Sequence, residues 1–183
     1  MNYDFDRVIE RRHSDSVKWR WYDEDVLPLW VADMDFLAPE PVIAALTARV
    51  QHGIFGYAHE PPELRDALMA WLARRFNWRV APEAFVIVPG VVSGFNIACK
   101  AAGQPGDGVL VQTPVYPPML NVPANFGLVH EDMQLTQDTS GRYSVDDALM
   151  AATMTDRTRL FLLCSPQNPT GRAITEDEAI ELL

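Results

Sequence analysis

Apolar positions recur at helical spacing in the first half of the chain and bunch into short runs in the second. Pro41 suits the first turn of a helix because its φ is already helical. Val42, Ile43, Leu46 and Val50 then share a face, and Gly53 ends the segment. After Pro61-Pro62 a second helix carries Leu64, Leu68, Trp71, Leu72 and Phe76 at the same spacing. Residues 1–40 lack a period. They hold a charged start, a tryptophan-rich piece from Lys18 to Tyr22, and an apolar stretch where a short strand is expected around Leu29 to Val31. They read as an arm ahead of a domain over 41–183.

From Phe85 onward, short apolar runs alternate with helical segments. Strands are expected at Phe85 to Val88, Val109 to Gln112, Leu128 to Met133 and Leu160 to Cys164. Helices are expected at Val91 to Ala102, at Tyr116 to Phe126 (broken by prolines) and at Val145 to Met154. Pro105 to Gly108 is a turn. Such alternation indicates βαβ units and a mostly parallel sheet, so the fold class is α/β. Thr175-Glu176-Asp177-Glu178 forms a capping box, and the helix it starts runs only to Leu183. Two turns without a C-cap make a marginal helix, so the chain is expected to be a fragment cut inside an element.

Composition narrows the function classes. A net charge of −10 with no Lys/Arg block leaves no electrostatic footprint for nucleic acid or an anionic membrane. No uncharged stretch is free of prolines for long enough to span a bilayer, so a soluble protein is expected. Cys99 and Cys164 sit in apolar surroundings, which suits a reducing compartment, and a cytoplasmic location is expected. His52 and His59 have no common zinc-ligand spacing. Asp33 and Asp35 are read as falling on opposite sides of an extended segment, and so as no acid/base pair.

Three loops follow expected strands, where ligands bind in parallel α/β sheets. In Pro89-Gly90-Val91-Val92-Ser93-Gly94 a glycine turn leads into a helix whose first amides and positive dipole end suit an anion, although a plain strand-to-helix turn has the same composition. It is neither a GxGxxG nor a Walker pattern. In Thr113-Pro114-Val115-Tyr116-Pro117-Pro118 prolines stiffen the chain around Tyr116, whose ring is either a stacking surface or a core residue. In Cys164 to Arg172 two prolines bracket Asn168, and here turn chemistry alone accounts for the residues.

The Asn-Pro-Thr-Gly, Thr-Pro-x-Tyr-Pro, Pro-Gly-Asp and Gly-Val-Val stretches occur together and in this family's arrangement. The chain resembles the large domain of fold-type I pyridoxal-phosphate (PLP) enzymes, the class I/II aminotransferase superfamily. Leu29 to Phe36, Gly53 to Tyr57 and Cys164 to Arg172 resemble its cystathionine β-lyase-like C–S lyases. The likeness spans essentially the whole chain and implies that 41–183 is the first part of the PLP-binding domain.

The resemblance further implies that the amides of Val91 and Val92 hold the cofactor phosphate, that Tyr116 stacks on the pyridine ring and that Asn168 hydrogen-bonds its 3-oxygen. Tyr57 would reach the phosphate of a neighbouring subunit in a homodimer, and the backbone at Ala32 would face the substrate carboxylate. The family's Schiff-base lysine, ring-nitrogen aspartate and carboxylate-binding arginine lie beyond residue 183. Lys18 and Lys100, the only lysines here, match no Schiff-base motif. A full-length C–S β-lyase acting on cystathionine or cysteine S-conjugates is therefore expected, with this stretch inactive alone. An aminotransferase on the same scaffold is the alternative, because the cofactor loops do not decide the reaction. A catalytically silent remnant or interaction protein is a third reading, of a different class.

Overall fold

The structure, a computed structural model, describes residues 3–182, and these divide into two units at Leu68/Met69. The first unit contains α1 (Val17–Arg20) and α2 (Glu40–His52), and the division falls inside α3 (Pro62–Phe76). Helix α2 begins as its proline predicts. It ends at Gly53, whose φ of 75° is a left-handed conformation open to glycine, and the Gly53 amide donates to the Val50 carbonyl at 3.0 Å. The expected apolar face is present, but Val42, Ile43, Leu46 and Val50 are all exposed.

The strand expected at Leu29 to Val31 does not form. A strand needs a hydrogen-bonded neighbour, and here the polar atoms after Val31 are taken by side chains instead: Lys18 Nζ donates to the Asp33 carbonyl and Arg11 Nη1 to that of Met34. The Asp33 amide turns back to the Val31 carbonyl at 2.9 Å. Nor do Asp33 and Asp35 fall on opposite sides. Side chains two apart in an extended chain share a face, and both carboxylates reach Arg11.

In the second unit α4 (Val91–Ala102) leads to β1 (Gly108–Thr113), α5 (Pro117–Asn125) and β2 (Val129–Gln134). After β3 (Thr136–Gln137) and β4 (Tyr143–Ser144) come α6 (Asp147–Thr153), β5 (Thr158–Leu162) and α7 (Glu176–Glu181). The sheet is parallel with order β2-β1-β5, so the fold is α/β. Central β1 is buried from Gly108 to Gln112, and its continuous apolar run reflects cover on both faces. Edge strand β2 alternates, with Glu131 and Met133 buried.

Cys99, Val109, Val111, Met119, Val122 and Leu162 form the centre of the core. Phe85 to Val88, expected to be a strand, is irregular and belongs to neither sheet. The β3–β4 hairpin is an addition. Asp138 Oδ1 accepts from the Ser140 hydroxyl and from the Ser140 and Arg142 amides and closes its turn, and these donors, the Ser140 hydroxyl foremost, hold the Asp138 carboxyl below the usual range. The capping box is present: Thr175 accepts from the Glu178 amide and Glu178 from that of Thr175. No helix among the described residues is long and apolar enough to cross a membrane.

Candidate functional site

The strand-end loops of the second unit meet at one cleft. Its first wall is the start of α4. Gly90 precedes it with φ 115° and ψ 160°, a backbone state that only glycine adopts without strain, and no side chain caps the helix. The early amides of α4 therefore keep their donors, at the positive end of the helix dipole. Asn96 accepts from Asn125 at 3.0 Å and donates to the Val92 carbonyl at 2.8 Å, which ties α4 to the end of α5.

The second wall is the start of α5. Tyr116 is the N-cap, with Pro117 and Pro118 at the first helical positions, so its backbone is fixed on the C-terminal side. Its ring stays partly exposed, whereas Val115 and Met119 on either side are buried. The end of β5 supplies the third wall. The resulting cleft is about 650 Å³ and is lined by Val91, Val92, Tyr116, Met119, Leu163 and Cys164 among others. Three sequence-predicted positions, Val91, Val92 and Tyr116, thus come together. Asn168 does not line the cleft. It is exposed in the loop three residues beyond the lining residue Ser165, and its amide has no partner among the described residues.

Gln167, the neighbour of Asn168, binds these loops together. It is 5% exposed, its Nε2 donates to the Pro114 carbonyl, and its Oε1 accepts from the Thr170 amide at 3.2 Å. Its place between Pro166 and Pro169 is a signal that it shares with Asn168. Cys164 is unpaired and rests its Sγ 3.5 Å from the Pro166 carbonyl, while burial pushes the Cys99 thiol up, so that Cys99 is a core residue.

Ala32 and Tyr57 belong to the first unit. Tyr57 is fully exposed. Ala32 is exposed at the centre of the turn between Val31 and Asp33, next to a charged cluster. There Arg11 grips Asp33 in a bidentate pair, Nη2 to Oδ2 at 2.7 Å and Nη1 to Oδ1 at 3.2 Å, and Nη1 also reaches Asp35 at 2.5 Å. Lys18 Nζ lies 2.6 Å from Asp35 Oδ2, and Trp19 Nε1 donates to Asp35 Oδ1 at 2.7 Å. Those donors, Lys18 foremost, pull the Asp35 carboxyl down to about 2, and the Arg11 hydrogen bonds lower that of Asp33. No group of metal-ligating side chains occurs among the described residues.

Residues 24–183 match the family Aminotransferase class I and II. The chain belongs to that family. Cystathionine beta-lyase PatB of Bacillus subtilis is 39% identical over 97% of this chain and 47% of its own length. Cystalysin from Treponema denticola, whose structure contains a pyridoxal 5'-phosphate cofactor, superposes with a TM-score of 0.89 at 29% identity, over 100% of this chain and 48% of its own. The PLP-bound C–S lyase from Staphylococcus hominis gives 0.87 at 28% identity, over 100% of this chain and 48% of its own. The chain thus spans about half the length of the relatives it matches.

Proposed function

We propose that the whole protein is a PLP-dependent carbon–sulfur β-lyase, converting cystathionine or another cysteine S-conjugate and water into a thiol, pyruvate and ammonia. The observation that carries this reading is the cleft lined together by an uncapped helix N-terminus, a proline-braced tyrosine and apolar side chains. A flat, anionic cofactor fits that combination. The amides of Val91 and Val92 would hold its phosphate and the Tyr116 ring would stack on its pyridine face, while the free amide of Asn168, on the loop that continues from the lining residue Ser165, would turn in to bond its 3-oxygen. When bound, PLP supplies an electron sink for the charge left at the substrate Cα.

The segment around Ala32 would receive the substrate carboxylate. Tyr57, wholly free of its own chain, is available to the cofactor phosphate of a second copy, which supports a homodimer with shared sites. Residues 1–40 would form the arm and 41–183 the first part of the cofactor domain. Two unpaired cysteines support a cytoplasmic location.

The test is an assay of the full-length protein with PLP and L-cystathionine. Equal yields of thiol and pyruvate, without any added 2-oxo acid, support the lyase. Amino-group transfer that requires a 2-oxo acid, with no thiol released, would replace it by an aminotransferase. That second reading is kept because the family matched takes its name from transamination.

A further inference from the structure

One cluster in the arm joins two cations, Arg11 and Lys18, to two carboxylates, Asp33 and Asp35, so that its charges cancel, and the reading above gives these side chains no task. Lys18 is 8% exposed although it is charged, and a buried lysine is rare unless it is paired. Both cations are committed to aspartates, so neither is free to grip a substrate carboxylate. Both aspartates are committed in turn, which leaves them poor proton acceptors.

The cluster instead holds main chain. Lys18 Nζ donates to the Asp33 carbonyl at 2.7 Å, and Arg11 Nη1 donates to the Met34 carbonyl at 3.2 Å. Ser16 Oγ braces both partners, accepting from Arg11 at 3.1 Å and lying 3.4 Å from Asp33 Oδ2. Anchored in this way, the Asp33 amide closes a three-residue turn onto Val31, and Ala32 is its centre. The Ala32 amide donates to no group among the described residues, and the residue is exposed. An unpaired N–H is thus presented at a position that charged groups on a different part of the arm determine.

We infer that Arg11, Lys18 and Trp19 are positioning residues: through Asp33 and Asp35 they fix the turn so that the Ala32 N–H meets the α-carboxylate of an amino-acid substrate. This rests on the reading that the segment around Ala32 faces that carboxylate. The donor is neutral and small, so its value depends on being held in place before the substrate arrives.

The experiment uses the full-length protein loaded with PLP and two probes, S-methyl-L-cysteine and S-methylcysteamine, which lacks the carboxylate. Lys18→Met should weaken the amino acid by about tenfold and leave the amine unchanged, as expected for one lost charge-assisted hydrogen bond. Asp35→Asn, of nearly the same size, should shift the same ratio in the same direction. Equal weakening of both probes in these variants would reduce the cluster to general stability and overturn the inference. Ala32→Pro, which removes the amide, separates the two levels of the argument. If it leaves binding of the amino acid unchanged, the placement of Ala32 at the carboxylate fails. If it weakens only the amino acid while Lys18→Met does not, that placement stands and the positioning role fails.

Discussion

The buried side-chain amide of Gln167 donates to the main-chain carbonyl of Pro114, 53 residues earlier in the chain. Through that bond the loop after β5 holds the loop after β1, two residues ahead of Tyr116. Gln167→Leu keeps the bulk and removes both polar contacts. It should cost about 1–3 kcal/mol of stability and weaken PLP binding as Tyr116 loses its support. Urea unfolding of the apoprotein and a PLP titration of the full-length protein measure the two effects. A variant as stable as its parent would mean the loops are held by other contacts.

Gly108 lies beneath the carboxylate of Glu131, which is itself held by Thr155 at 2.9 Å and Thr158 at 2.6 Å. A Cβ at position 108 would occupy the space of that carboxylate and push it off both threonines. Gly108→Ala should therefore destabilise the sheet by about 1–3 kcal/mol despite being the smallest possible change. The urea midpoint reads this directly, and no movement of it would contradict the packing described.

Asp35 titrates at about 2 in the folded chain against 3.8 for the free group, and Asp33 is lowered as well. A lowered carboxyl contributes stability that is present above the unfolded value and fades as pH falls through the folded one. Asp35→Asn should thus be less stable than the parent at pH 7. The gap should persist down to pH 4 and close between there and pH 2. A gap that stayed constant over that window would remove ionisation as its cause.

Tyr57→Phe deletes a single hydroxyl from a fully exposed ring. If that hydroxyl serves a partner's cofactor phosphate, PLP affinity falls by about ten- to a hundred-fold, the worth of one hydrogen bond to a charged group. The fold should be unaffected. Unchanged affinity would count against a shared site.

Tyr116 separates stacking from packing. Tyr116→Phe should keep most PLP binding because the ring is retained. Tyr116→Leu should lose the stacking share, about 0.5–1.5 kcal/mol beyond area burial, and shift the cofactor absorbance band. A leucine variant with destabilised apoprotein and an untouched spectrum would make the tyrosine a packing residue.

Helices were legible wherever a local device marks an end: Pro41 and Gly53 for α2, Thr175 and Glu178 for α7. So was the parallel sheet, because β1 must be apolar on both faces. Phe85 to Val88 and Leu29 to Val31 misled for one shared reason. A strand is a relation between two segments, and an apolar run states only that its residues suit one. The β3–β4 hairpin was missed in the opposite way, since two residues per strand give no period, although Asp138 and Gly141 marked its turn.

For the site, Val91, Val92 and Tyr116 were named through the resemblance of the ordered loops to a known family, whereas the glycine and proline constraints on each loop were equally met by a plain turn or a core residue. That these loops share a cleft was decided by the β2-β1-β5 order, which brings the end of β5 beside the loop after β1. Gln167 could not be chosen over Asn168 from the sequence. Both amides lie between the same two prolines, and only the tertiary structure buries one against Pro114 and leaves the other exposed. Likewise Arg11 and Lys18 are ordinary charges in the sequence. Their pairing with Asp33 and Asp35 joins residues 17 to 24 positions apart, and in a chain of mixed charge only the folded path selects which opposite charges meet.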